Sequence, residues 1–217
     1  MSEFCTLFLS LELSWQNLLQ NFGVNSAIAR QTFLDIANLY SSPNRFYHNL
    51  DHVSQVLQVI ELLRSLALEP DTIAFAAWFH DVIYDAKSND NEEKSAEYAA
   101  SLLNYFKLSS KLINSVTNLI LKTKTHRYPD NDIDSQILMD ADLSILGADV
   151  SNYRRYSQAI RQEYSWVSDE SYQVGRLKFL QNILQRPRIY LTDTMFATLE
   201  INARGNIQTE IQYLLSL

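Results

Sequence analysis

Glycine and proline are scarce, four of each in 217 residues, where the two together supply roughly 12% of a typical chain. That scarcity argues against sandwiches and barrels of short strands, which need such residues at every tight turn. The single cysteine, Cys5, excludes an internal disulfide and a cysteine-based zinc site. The longest wholly apolar run, Ile73 to Phe79, is too short to span a bilayer, so no membrane partner is expected. Basic residues are few and scattered, 18 against 25 acidic ones for a formal charge of −7. No stripe for a phosphate backbone results, and a nucleic-acid duplex is not expected as a partner. An anionic substrate has to be met locally, by a metal or a few placed cations, against the long-range field. The start carries Glu3 and no basic segment ahead of its short apolar stretch, unlike a secretory signal, so a cytoplasmic location is expected. Oligomeric state is left open.

What is present is a helical pattern. Hydrophobic residues make up 47% of the chain and charged ones 20%, which is the balance of a folded protein with a sizeable core. No repeat, low-complexity segment or Gly/Ser/Pro linker divides it, and one domain over residues 1–217 is expected. Phe8, Leu11, Trp15, Leu18, Leu19 and Phe22 recur at helical spacing, with Gly23 placed to end the helix. A second helix is predicted over 26–40, and a third starts near His52 and runs toward Pro70. Ile73 to Ile83 is apolar all round except for His80 and Asp81, the composition of a helix buried on every side. Further helices are predicted from Glu92, and over about 110–122, 134–146, 150–165, 169–186 and 198–216. With no convincing period-2 strand, the fold class is all-α, a bundle of roughly nine helices.

Ionisable residues on apolar faces mark the candidate chemistry, because a buried charge is costly unless paired, hydrogen-bonded or bound to metal. His52 has Val56 one turn ahead, His80 has Ala76 and Ala77 one turn behind, and Asp142 shares its face with Leu138, Ile145 and Leu146. Asp140 falls beside Gln136 and Ser144, so Asp142 is the better core-facing carboxylate of the two. Asp81 completes a set of two imidazoles and two carboxylates. Such a nitrogen and oxygen site suits one divalent ion, Mn, Fe, Co or Mg, with Zn also possible. Neighbours on a helix diverge by about 100°, so His80 and Asp81 can share an ion only beside a helix end. His48 and His52 have the four-residue spacing of zinc-binding HExxH sequences, but the Glu such sites use as base is missing between them. His48 therefore reads either as a substrate contact or as a loop histidine.

The order His52, His80-Asp81, Asp142 resembles the HD superfamily of metal-dependent phosphohydrolases. Arg45 to His52, Ala77 to Asp85, Asn91-Glu92 with Ser95-Ala96, and Asp140 to Gly147 are similar to a bacterial subfamily of predicted HD phosphohydrolases. So are Ile160 to Tyr164, Arg176 and Glu200 to Asn206, and together the resemblance spans about residues 10–216. It implies that His52, His80, Asp81 and Asp142 are metal ligands of an enzyme that activates water against phosphoesters or phosphoanhydrides. His80 to Asp85 is also similar to the hydrolase motif of (p)ppGpp hydrolases, with Tyr84 where the first of two acids would stand.

On this reading Asp85 is the candidate base, if the helix persists far enough to bring it over the ion. His126, with Lys124 beside it, is a candidate for stabilising transition-state charge, and Arg45 for clamping phosphate. Arg161 and Glu163 lie two apart and do not share a face; Arg161 is the one expected in the cleft. Arg176 and Arg204 are expected to brace helices, and Trp78, Phe79, Tyr84, Tyr153, Tyr156 and Tyr164 to belong to the core. The expected substrate is a small phosphorylated molecule, a nucleotide by preference. The alternatives are a non-catalytic sensor of metal or nucleotide and a diiron oxygenase.

Overall fold

The computed structural model describes residues 3–125 and 131–217. Among the described residues it is 74% helical, with ten α-helices and no strand. The helices are α1 (Glu3–Gln20), α2 (Ser26–Tyr40), α3 (Leu50–Leu62), α4 (Pro70–Phe79), α5 (Asn91–Tyr105), α6 (Ser110–Thr123), α7 (Ile133–Asp142), α8 (Val150–Glu163), α9 (Asp169–Leu184) and α10 (Asp193–Leu215). Capping residues mark many of the starts. The side chains of Asn25, Asn49, Ser109, Asp149, Ser168 and Thr192 accept hydrogen bonds from first-turn N–H groups, an arrangement worth about 0.5–2 kcal/mol per helix. Gly23, at φ +70°, takes the left-handed position after α1.

α4 is the centre of the bundle, packed against α3, α5, α6 and α7. Ile73 and Phe75 to Phe79 are all fully buried, as a helix apolar on every face requires. Trp15 of α1 meets Phe75, Trp78 and Phe79 edge-on at centroid distances of 6.0, 5.3 and 5.7 Å. Its indole N–H donates to Thr32 at 3.1 Å, so this large ring is buried without losing its one polar contact.

Three helix ends differ from the periodicity. α4 stops at Phe79 rather than running to Ile83. α7 stops at Asp142 and tightens into a 3-10 turn, Leu143–Gly147. α10 begins at Asp193 rather than near 198, because the Thr192 hydroxyl caps it and Asp193 suits its positive end. Asp140 is a fourth correction. It is only 1% exposed, because its neighbours three residues away, Ile137 and Leu143, are both buried. Its carboxylate accepts from the N–H groups of Leu191 and Thr192 and from the Thr192 hydroxyl, each at 2.7 Å. Asp140 thus ties α7 to the entry of α10 on the side away from Asp142.

The turn after Asp142 lies hard against α10. A Cβ built on Gly147 would stand 2.6 Å from the Leu199 Cβ and 2.9 Å from the Tyr190 hydroxyl. Gly147→Ala is therefore expected to lower stability by about 1–3 kcal/mol. A denaturant midpoint equal to that of the parent protein would show that the turn yields freely.

Candidate metal centre

His52 enters from the first turn of α3, where Asn49 caps the helix by accepting from the N–H groups of Asp51 and His52 at 2.9 and 3.4 Å. His80 caps the end of α4, Asp81 follows it, and Asp142 is the last residue of α7. The two imidazoles are 2% and 1% exposed. His52 Nε2 lies 3.1 Å from His80 Nε2, 3.3 Å from Asp142 Oδ1 and 3.7 Å from Asp81 Oδ2. His80 Nε2 lies 3.2 Å from Asp81 Oδ2 and 3.7 Å from Asp142 Oδ1.

Donors held about 2.1 Å from one ion at octahedral or tetrahedral angles stand about 3.0–3.4 Å apart; three of the five separations lie in that range and the two of 3.7 Å just beyond it, a spacing suited to a shared divalent cation. The chemistry of the donors fits as well. His80 Nδ1 faces the carbonyl of Ala77 at 2.9 Å, which places a proton on Nδ1 and aims the Nε2 lone pair at the cluster. Burial is the largest influence on each ring and disfavours its charge. His52 is pushed below the ordinary imidazole range, whereas Asp81 and Asp142 hold His80 well above it. Asp81, despite burial, is drawn below the usual carboxylate range by His80 and His48. One cation among the four groups satisfies what no single arrangement of protons can.

The end of α4 makes the convergence possible, and a small polar frame holds that end. Arg45 donates to the carbonyls of His48, Asp81 and Val82 at 3.1, 2.6 and 2.8 Å, covering oxygens that a helix end leaves without partners. The Ser95 hydroxyl accepts from the N–H of Ile83 and donates to its carbonyl, both at 3.1 Å. Asn91 bonds the N–H and carbonyl of Asp85, both at 3.0 Å.

His48 is brought close to the cluster, with its ring 5.9 Å from that of His52. Glu163 positions it. That carboxylate, on a residue 4% exposed, meets His48 Nδ1 at 2.6 Å and accepts from the N–H groups of Tyr47 and His48 at 2.7 and 3.0 Å. The Tyr84 hydroxyl donates to it at 3.2 Å, and the Tyr84 ring stacks on His48 at 4.2 Å. Glu163 is a functional candidate that the comparison with Arg161 missed. The signal was available: Tyr153, Tyr156, Ile160 and Glu163 are the buried residues of α8, spaced three, four and three apart.

Other expected site residues fall elsewhere. Because α4 ends at Phe79, Asp85 is not carried over the cluster; its carboxylate accepts from the N–H of Lys87 at 2.9 Å. Asp85 and Arg45 line a neighbouring cavity of about 600 Å³. Lys124 is exposed and paired with Glu93 at 2.6 Å. Arg161 turns away from the cleft to the Tyr164 carbonyl at 2.8 Å and Asp169 at 2.5 Å. His126 lies outside the described residues. Trp78, Phe79, Tyr153 and Tyr156 are core residues, and Tyr156 also lines a second cavity together with Tyr84 and Tyr164.

That cavity, of about 590 Å³, opens over His80, Asp81 and Asp142 and continues between the 3-10 turn, α8 and α9. Arg176 forms part of its wall and pairs with Glu210 through Nε at 2.8 Å and Nη2 at 3.1 Å, joining α9 to α10.

Residues 49–144 match the family model of the HD domain. The match is consistent with the HD superfamily of metal-dependent phosphohydrolases, a family that binds divalent metals. The matched span contains His52, His80, Asp81 and Asp142 and ends before α8. No curated protein matches the chain.

The Arg176–Glu210 pair gives the cavity wall a defined pH response. Burial raises the Glu210 pKa, but the bonds and charge of Arg176 outweigh it and bring the group below its ordinary value of 4.5. The stabilisation is complete above that ordinary value and is lost as pH falls through the lower folded one. Glu210→Gln is expected to lower the thermal midpoint at pH 7 and to flatten its decline between about pH 5 and 3. An unchanged midpoint together with an unchanged acid limb would show that the pair adds nothing.

Proposed function

We propose that the protein is a metal-dependent phosphohydrolase acting on a small phosphorylated molecule of the nucleotide class, with His52, His80, Asp81 and Asp142 holding one divalent ion. The observation that carries this reading is the meeting of four donors from three helices beneath an open cavity. When bound, such an ion supplies a Lewis acid that lowers the pKa of water and polarises a phosphoryl oxygen.

The chain's own groups account for positioning. Glu163 takes the Nδ1 side of His48 and leaves Nε2 toward the cavity, where it can donate to a phosphoryl or leaving-group oxygen. Tyr84 fixes the ring plane by stacking. Among the described residues one group of possible ligand side chains, His52, His80 and Asp81, is assembled, with Asp142 Oδ1 3.3 Å from His52, which supports a single ion over the diiron alternative. The sensor reading draws support from the same turn. Tyr84 is engaged by Glu163 and Asp85 by its own loop, so neither acts as a base over the cluster.

Two experiments test the proposal. Purified protein given Mn²⁺ is expected to retain about one ion per chain and Asp81→Ala to lose it, read by elemental analysis after desalting; equal retention removes the ligand assignment. Glu163→Gln is expected to keep the ion and the fold while lowering kcat on a nucleotide substrate about 10–100-fold. Unchanged kcat would remove the positioning role of Glu163. Nucleotide binding with no phosphate release by the metal-loaded protein would favour the sensor.

A further inference from the structure

The cavity extends past the matched HD segment, and its far part is built by this chain's residues 145–179. There Tyr164, at the end of α8, Trp166, in the connecting loop, and Tyr172 and Phe179, on α9, line the wall. Tyr164 lies 6.4 Å, centroid to centroid, from both Trp166 and Tyr172. Arg161 holds this group from behind, bonded to the Tyr164 carbonyl and set 4.8 Å over the Tyr172 ring. Tyr47 and Tyr172, two residues of the cavity wall, have buried hydroxyls with no hydrogen-bond partner. A buried hydroxyl without a partner is costly, and a ligand that brings one removes the cost.

Charge narrows the ligand further. Among the described residues lining the cavity, Arg176 is the one permanent cation, and Glu210 and the Tyr156 hydroxyl occupy it. Asp81, Asp142 and Glu92 line the same space. Among the described residues the walls add His48 to the metal cluster but no permanent cation besides the engaged Arg176, an arrangement better suited to one phosphate than to a polyphosphate chain.

We propose that the aromatic arm between α8 and α9 is a nucleobase site and that the substrate is a nucleoside monophosphate, its phosphate at the His/Asp cluster. The planar ring packs against Tyr164, Trp166 and Phe179, and polar atoms of the nucleoside engage the Tyr172 and Tyr47 hydroxyls. The reaction rests on the phosphohydrolase reading; the ligand rests on the cavity walls.

Phosphate-free nucleosides separate the two. Trp15 and Trp78 are fully buried while Trp166 is 49% exposed, so quenching of tryptophan emission by adenosine or guanosine reports the arm without turnover. Tyr172→Phe is expected to fold at least as stably and to bind nucleoside about tenfold more weakly. A Cβ on Gly175, which lines the cavity, meets nothing within 4 Å; Gly175→Leu is expected to fill the arm and weaken binding at least as much. Mn²⁺-loaded protein is expected to cleave nucleoside monophosphates with kcat/KM at least tenfold above that for triphosphates, glucose 6-phosphate or glycerol 3-phosphate. Nucleoside binding without any hydrolysis would keep the arm and overturn the phosphohydrolase reading. Hydrolysis with no nucleoside quenching and no preference for a base would keep that reading and overturn the arm. Binding equally strong in both variants would also overturn it.

Discussion

Four ionisable side chains facing one point in an apolar interior are the constraint on which the rest of the site depends. His52, His80, Asp81 and Asp142 approach within 3.1–3.7 Å of one another across the contacts that involve the histidines. Protons satisfy some of these contacts at the expense of others, since the two Nε2 atoms face each other. A cation satisfies them together, and its binding energy is then coupled to the packing of α3, α4 and α7. On the function proposed above, the same cluster is both the chemical centre and a tie between three helices.

That convergence depends in turn on how one helix ends. Were α4 to continue through Asp81, adjacent side chains would diverge by about 100° and could not share an ion. Arg45, Ser95 and Asn91 hold the chain in its turn just where the helical hydrogen bonds run out. A second layer acts through Glu163, which links α8 to the strand-free segment before α3 and sets His48 at the edge of the cluster. The cavity is thus bounded on one side by the segment that matches the HD model and on the other by helices outside it.

Much of this was legible in the sequence. The all-α class followed from periodicity and the lack of turn residues, and the meeting of His52, His80, Asp81 and Asp142 from polar groups on apolar faces. What periodicity did not give was where the helices stop. Ile73 to Ile83 reads as one continuous apolar stretch because Val82 is buried beyond Phe79, as His80 is, and burial rather than helical geometry sets that pattern. Asp85 was assigned on the assumption of helical continuation and loses that position with it. Asp140 was judged by neighbours four residues away, although those three away were the buried ones. Arg45 and Arg161 carry charges suited to phosphate, yet both serve carbonyl groups, and nothing in composition distinguishes an arginine facing a ligand from one facing a helix end. Glu163 was visible by the rule that found His80, had the rule been applied along α8.

The shared cation is the claim that most needs direct observation. Anomalous diffraction from crystals soaked in Mn²⁺ tests it without recourse to activity. The account predicts one peak bonded to His52 Nε2, His80 Nε2 and carboxylate oxygens of Asp81 and Asp142, each at about 2.0–2.2 Å. A peak away from these residues, or one that leaves His52 or Asp142 uncoordinated, would contradict it.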